Sequence, residues 1–188
     1  MVELVIANIM SRANDNRAYV LMLQERNGFR RIILALGNPE ANSIAMSLRK
    51  AYSPRPLTHE LFGSLARAFD IKMRYVIINR IEEGTFCSTI LFEQGNEVRE
   101  IDARTSDAVA LALRSGAPIL ITEELLNRTC VRDAPNGAIS IPIHAANDKV
   151  LRDALAEAIR NEDYEFAKTL KDELDSRHSN LAENNINN

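Results

Sequence analysis

The chain has 188 residues, enough for one ordinary domain and an appendage. Apolar residues make up 46% and charged residues 26%, which allows a sizeable core and excludes global disorder. A net charge of −3 argues against wholesale electrostatic capture of nucleic acid, and no apolar run approaches the ~18 residues of a membrane span.

In chain order, "MVELVIANIM" has no basic lead and no small-residue cleavage site, so it reads as a strand rather than a signal peptide. "RAYVLMLQE" and "FRRIILAL" flank Arg26-Asn27-Gly28 and predict a hairpin. Gly37-Asn38-Pro39-Glu40 then opens a helix, with Asn38 as cap, proline at the first helical position and an acid in the first turn. Ile44 and Leu48 are its expected buried pair. Thr58 is expected to cap "HELFGSLARAF", which carries Leu61, Leu65 and Phe69 on one face.

Two β-rich runs, "IKMRYVIINRI" and "TFCSTILFE", meet around Glu83-Gly84, and Gln94-Gly95-Asn96 turns the chain into "EVREI". A helix over 106–114, the strand "APILIT", the short helical turn "TEELLN" and an edge strand "AISIPI" follow. Strand pairs interrupted by helices predict an α+β fold over residues 1–145, a mixed, mostly antiparallel sheet with packed helices. Cys87 and Cys130 follow no metal or disulfide spacing and are expected to be buried thiols in a reducing, cytoplasmic setting.

The character changes at Asn147. "DKVLRDALAEAIRNEDYEFAKTLKDELDSR" has neither glycine nor proline and repeats helical periodicity twice. Leu151, Leu155 and Ile159 mark one stripe; Phe166, Leu170 and Leu174 mark the other. The expectation is an α-helical hairpin over 146–178, too small to be stable alone, followed by a disordered polar tail over 179–188. Charge divides the same way. Residues 1–146 hold 17 Lys+Arg against 16 Asp+Glu, whereas residues 147–188 hold 6 against 10. Of the 17 cations 15 are arginine, the better bidentate partner for phosphate.

Two clusters invite a chemical reading. In "RPLTHELF" (55–62), Arg55 approaches a helix whose first turn holds His59 and Glu60, and free backbone N–H groups there attract anions. Arg55, Thr58 and His59 could seat a phosphate; equally, Thr58 caps, Glu60 complements the dipole and Arg55 faces water. In "DARTSD" (102–107), Asp102 and Asp107 flank the mouth of a largely apolar, hence buried, helix. The two acids could share a hard cation such as Mg²⁺ or Mn²⁺, or Arg104 could pair with Asp102 while Ser106 or Asp107 caps.

At these motifs the chain resembles the bifunctional nuclease family, whose pattern reads Arg-Pro-Leu-Thr-His-Asp-Leu and then Asp-Ala-Arg-Pro-Ser-Asp-Ala. Here Arg55–Leu61 and Asp102–Ala108 match, with Glu60 in place of aspartate and Thr105 in place of proline; Gly37, Glu40 and Ala41 fit as well. The resemblance covers roughly residues 1–130 and implies DNase and RNase activity. The coincidence of acids, arginines and one histidine at two helix mouths in turn suggests a divalent cation held by Asp102, Asp107 and Glu40, His59 as general acid or base, and Arg55 and Arg104 stabilising charge. The C-terminal segment resembles a UVR motif, a helical hairpin that joins protein to protein, through Leu151, Ala154, Ala158, Asp163, Tyr164, Glu165, Ala167 and Leu170. It implies a protein partner, or self-association into a homo-oligomer, through residues 147–178. A non-enzymatic adaptor, or an enzyme on a small phosphorylated or carboxylated ligand, fits the same residues.

Overall fold

The structure is a computed structural model that describes residues 1–12, 15–51, 53–82, 84–133, 139–140 and 142–184. The side chains of 12, 15–18, 132–133, 139–140 and 178–184 are outside that description. Strands β1 (Val2–Arg12), β2 (Asp15–Glu25) and β3 (Arg31–Leu36) lead to helices α1 (Asn38–Leu48) and α2 (Thr58–Ala68). Then come β4 (Lys72–Glu82), β5 (Thr85–Gln94), β6 (Glu97–Arg104), α3 (Thr105–Ser115), β7 (Ile119–Ile121) and α4 (Glu123–Thr129). A two-stranded ribbon of β8 (Arg132–Asp133) and β9 (Ile139–Ser140) precedes α5 (Asp148–Arg160) and α6 (Tyr164–Asn184).

Seven strands form one sheet in the order β3-β2-β1-β7-β4-β5-β6. Every ladder is antiparallel except β4 with β7. The α+β architecture is therefore as the sequence reading has it. β7 is the element that joins the two meanders. Its three apolar residues lie between β1 and β4, where strands buried on both sides lose their alternation.

Helix α3 fills the space over this sheet. Ala108 through Ala112 are all buried, small residues letting the helix sit close to the strands while Val109 and Leu111 supply volume. Its mouth is pinned by the Thr105 hydroxyl, which donates to the Phe86 carbonyl at 2.7 Å and lies 2.7 Å from the Ser88 hydroxyl. Thr105, in the place where the family pattern has proline, thus fixes the strand-to-helix corner by hydrogen bonding.

Several local expectations shift. The α1 cap is Gly37, not Asn38, so proline falls one position further in, and Leu48 lies exposed while Ile44 is fully buried. Leu57, not Thr58, precedes α2, and its backbone N–H donates to Glu60 Oε2 at 2.9 Å, an acid satisfying an orphan donor of the first turn. The largest departure is that α2 buries none of its residues: Leu61, Leu65 and Phe69 point outward. Both cysteines are free and half-buried.

The C-terminal helices pack on each other around Leu151, Leu170 and Leu174. Near the turn the seam is made by Ala158 and Ala167, and Ile159 and Phe166, expected in it, lie outside it. Small residues there let the two helices approach closely. Helix α6 continues to Asn184, past the expected end at 178, since no glycine or proline interrupts it; the remainder of the expected tail, 185–188, is outside the described residues, as are Glu83 and Ile141. Among the described residues no helix is long and apolar enough to cross a membrane.

Candidate functional site

The mouths of α2 and α3 meet. His59, in the first turn of α2, brings Nε2 to 3.1 Å from Asp107 Oδ1, in the first turn of α3. The other carboxylate oxygen of Asp107 accepts from Arg104 Nε at 2.7 Å, and a terminal nitrogen of Arg104 donates to Glu40 Oε1 at 2.8 Å. Glu40 belongs to the first turn of α1. One connected chain, His59–Asp107–Arg104–Glu40, therefore spans three helix mouths, and carboxylates suit the positive ends of α1 and α3.

Burial is graded along it. The side chains of His59 and Glu40 are each 12% exposed, Asp107 28% and Arg104 67%. The guanidinium therefore caps two anchored carboxylates and faces solvent. Asp107 first and Glu40 second hold Arg104 above its ordinary pKa, so it is a fixed cation. With its Nε2–H donated to Asp107, a neutral His59 keeps the Nδ1 lone pair for a proton.

The sequence motifs converge in part. His59, Asp107, Arg104 and Glu40 come together. Asp102 does not join them: its carboxylate accepts from Arg80 at 2.8 Å, and Arg80 also donates to Glu82 at 2.7 Å. The reason is strand alternation. Asp102 pairs with Thr89 in the ladder, while the buried Ser88 and Ile90 on either side of Thr89 face the helices. Arg55 lies exposed in a bend with no hydrogen bond or ion pair among the described residues, and Thr58 opens α2.

The expected cation cage accordingly changes. Glu40 and Asp107 both turn to the Arg104 guanidinium, and Asp102 to Arg80. Among the described residues no three His, Cys, Asp or Glu side chains gather as metal ligands. This donor set does not fit a divalent ion in the present arrangement, where Arg104 supplies the positive charge between the two acids.

Arg114 and Arg80 are the residues that motif reading missed. Arg114, in the last turn of α3, donates to the Ser43 carbonyl at 3.0 Å and stands 3.8 Å from Glu60. A cation in the last turn of an otherwise apolar helix was the available signal. Beside it opens a cavity of about 610 Å³ lined by Lys50, Ser53, Pro56, Ser64, Arg67 and Arg114, with Glu60 its one acid. Arg67 and Arg114 also line a neighbouring cavity of about 560 Å³ that adds Lys72, Arg74, Phe62 and Tyr75. A third, of about 380 Å³, lies between Glu40 and Arg104 and the root of the helical hairpin at Ala146, Asn147 and Val150.

Residues 21–133 match the family model described as the bifunctional nuclease domain. The uncharacterized protein Rv1829 of Mycobacterium tuberculosis (strain H37Rv) is 40% identical over 107 residues, 57% of this chain and 63% of that protein; the uncharacterized protein MT1877 of strain CDC 1551 matches equally. Bifunctional nuclease 1 of Arabidopsis thaliana is 26% identical over 133 residues, 69% of this chain and 41% of that protein. The chain thus spans less than two thirds of the length of these relatives.

Proposed function

The chain belongs to the bifunctional nuclease domain family, and on that premise we propose that it hydrolyses phosphodiester bonds of nucleic acid at the joined mouths of α2 and α3. The contact between His59 and Asp107 carries this reading, because it unites the two sequence motifs in one proton-handling pair. His59 takes the proton of the attacking water and returns it to the leaving oxygen; Asp107 holds the ring in the tautomer that leaves Nδ1 free. Arg104 stabilises negative charge on the phosphate as it builds, its guanidinium pre-oriented by Asp107 and Glu40. Arg55 and Thr58 contact the substrate at the rim. The chain's negative net charge is compatible with this, since Lys50, Arg67 and Arg114 concentrate positive charge along one groove beside the site.

A divalent cation would act by polarising the same phosphate, and in this arrangement it would have to displace Arg104 from between Glu40 and Asp107. The experiment is cleavage of labelled single-stranded DNA and RNA by the purified chain, with and without chelator, beside His59→Ala. Cleavage lost in that variant supports the site; cleavage unaffected by it removes His59 from the chemistry.

A second role rests on the C-terminal helices. Ile159, Tyr164 and Phe166 are exposed around their connecting turn, consistent with the protein-joining use of the UVR motif they resemble. Tyr164→Ala/Phe166→Ala should leave cleavage unchanged and abolish partner recruitment; a loss of cleavage would refute the division of labour.

A further inference from the structure

We infer that the cavity of about 380 Å³ between Arg104 and the root of the helical hairpin seats the nucleoside next to the scissile phosphate, so that the C-terminal segment completes the substrate site. It rests on the phosphate contact assigned to Arg104 and adds the chemical class of the group beyond it. The starting observation is that the His59–Asp107–Arg104–Glu40 chain separates two hollows. Pro56 and Glu60, from the same end of α2 as His59, line the groove of Lys50, Arg67 and Arg114. Arg104 and Glu40, at the other end of the chain, line the cavity. A strand whose phosphates follow the groove cations and whose reacting phosphate meets Arg104 therefore carries its next nucleoside into the cavity.

The lining is divided as a nucleotide is. Among the described residues that line it, only Arg104 and Glu40 are charged, and they bond each other at 2.8 Å. The sheet supplies Val20, Ile33 and Ala35. Val20 pairs with Ala35 across β2 and β3, and Ile33 lies two positions from Ala35, so the three share one face. Val150 of α5 lines the cavity from the hairpin side. Apolar walls with few polar groups suit the faces of a base. A second phosphate would need cations that this lining lacks, and a purely apolar group would strip water from the Asn147 amide without replacing it.

Asn147 sets the preference among bases. Its Oδ1 accepts from the Val150 N–H at 3.0 Å and caps α5, which fixes the orientation of the amide. Its Nδ2 makes no hydrogen bond among the described residues. The wall therefore offers a donor, which the carbonyl edge of uracil or thymine accepts and the amino edge of cytosine does not. The wall is also held in place, because Arg177 donates to the carbonyl of the buried Ala146 at 2.8 Å. At about 380 Å³ the cavity is at the small end for ligand sites. It takes one unpaired nucleoside and no base pair, so the substrate enters single-stranded.

Titration calorimetry of the full chain with uridine and cytidine monophosphates (the 3′ and 5′ isomers of each) and with ribose 5-phosphate tests it, because binding is read without cleavage. One uridine isomer should bind about tenfold more tightly than ribose 5-phosphate and about fivefold more tightly than its cytidine counterpart. Asn147→Asp keeps the cap, since aspartate caps as well as asparagine, and exchanges the donor for an acceptor. It should reverse the order of the two pyrimidines with unchanged far-ultraviolet circular dichroism. Ala35→Leu/Val150→Leu narrows the cavity from both walls. It should bring the uridine nucleotide down to the affinity of ribose 5-phosphate and leave the latter within about twofold. Equal binding of nucleotide and ribose 5-phosphate by the wild type overturns the pocket. So does an order of pyrimidines unmoved by Asn147→Asp, or a chain that binds none of the probes at millimolar concentration. Base-dependent binding by a chain that cleaves nothing upholds the pocket as a nucleotide site and removes only the hydrolytic reading.

Discussion

The His59 imidazole and the Asp107 carboxylate, 48 positions apart in the chain, meet at 3.1 Å where the first turns of α2 and α3 face each other. The buried α3 fixes one partner against the sheet; the exposed α2 brings the other. A proton acceptor and the group that orients it are thus supplied by separate elements whose relative placement is set by packing.

This pairing predicts coupled losses. His59→Ala and Asp107→Asn should each lower the single-turnover cleavage rate by about 10²–10⁴-fold. The double variant should be little worse than the worse single, because the two act as one unit. Multiplicative losses would mean separate roles.

Arg104 yields a geometric prediction. Its fork bridges Asp107 and Glu40, and lysine, a point charge, cannot bridge both. Arg104→Lys should cost about 10²-fold in rate with little loss of stability, since the side chain is largely exposed. A raised folded pKa contributes stability that is complete below the unfolded value and lost only as pH rises through the folded one. For a guanidinium that window lies far into alkali. The wild type should therefore show no alkaline limb from position 104, whereas Arg104→Lys, whose ammonium ordinarily titrates near ~10.4, should gain one there; a wild-type limb that Arg104→Met abolishes would contradict this.

The acid side of stability belongs elsewhere. Arg30 bonds Glu25 and Glu123 at 2.7 and 2.6 Å and, with the hydrogen bond the main cause in each, lowers both carboxyl pKa values. Depressed carboxyls stabilise the fold above the usual carboxylate range, and that stability is lost as pH falls through the folded values. Arg30→Met should flatten the decline of the urea midpoint below the usual carboxylate range and leave the proposed cleavage unchanged. An unchanged acid limb would show that solvent screens these partly exposed pairs completely.

The α+β class and the buried α3 are legible in the sequence, because alternation and an unbroken apolar run are local signals. The convergence of His59 with Asp107 is legible only through motif separation. Asp102 is misplaced by motif reading because strand alternation, which decides the face a side chain takes, depends on a register that turn signals do not set. Leu61, Leu65 and Phe69 read as core because periodicity reports that a stripe exists and not what covers it. Ala158 and Ala167 enter the sequence reading only through the UVR likeness and not through the apolar stripes, since close helix approach selects small residues, which carry little hydrophobic signal.

The groove cations predict salt dependence. Lys50 and Arg67 line the cavity beside the site without entering the His59 chain. Lys50→Ala/Arg67→Ala should weaken single-stranded DNA binding about equally across sequences. The slope of log K against log salt should fall by about 1–2, at roughly 0.7 for each phosphate left without its cation. Fluorescence anisotropy across a salt series measures it; an unchanged slope would direct the strand elsewhere.

The last prediction concerns how the hairpin is seated. Arg177 of α6 is 8% exposed and donates to the Ala146 and Ile143 carbonyls at 2.8 and 3.1 Å and to Asp148 and Glu173 at 3.0 and 2.8 Å. It ties α6 to the segment that leads into α5. Gly84, at φ +72°, lies against that same segment, where a Cβ would run into the Ala146 carbonyl oxygen. Arg177→Ala removes the guanidinium from the Ile143, His144 and Ala146 carbonyls and leaves Glu173 to His144 at 2.9 Å and Asp148 to Arg152 at 4.0 Å, and it should lower the free energy of hairpin opening by about 2–3 kcal/mol. Gly84→Ala should lower it by about 1–2 kcal/mol through strain and the clash. Amide hydrogen exchange reads both as lost protection in α5 and α6 with α3 protection retained, since the hairpin has its own apolar cluster apart from the sheet. Because the root of the hairpin also walls the cavity beside Glu40 and Arg104, the two variants differ in a second readout. Gly84→Ala alters that wall directly and should change cleavage, whereas Arg177→Ala, acting behind it, should change cleavage only as far as the hairpin opens. Equal effects on cleavage at unequal opening would break the link between seating and site.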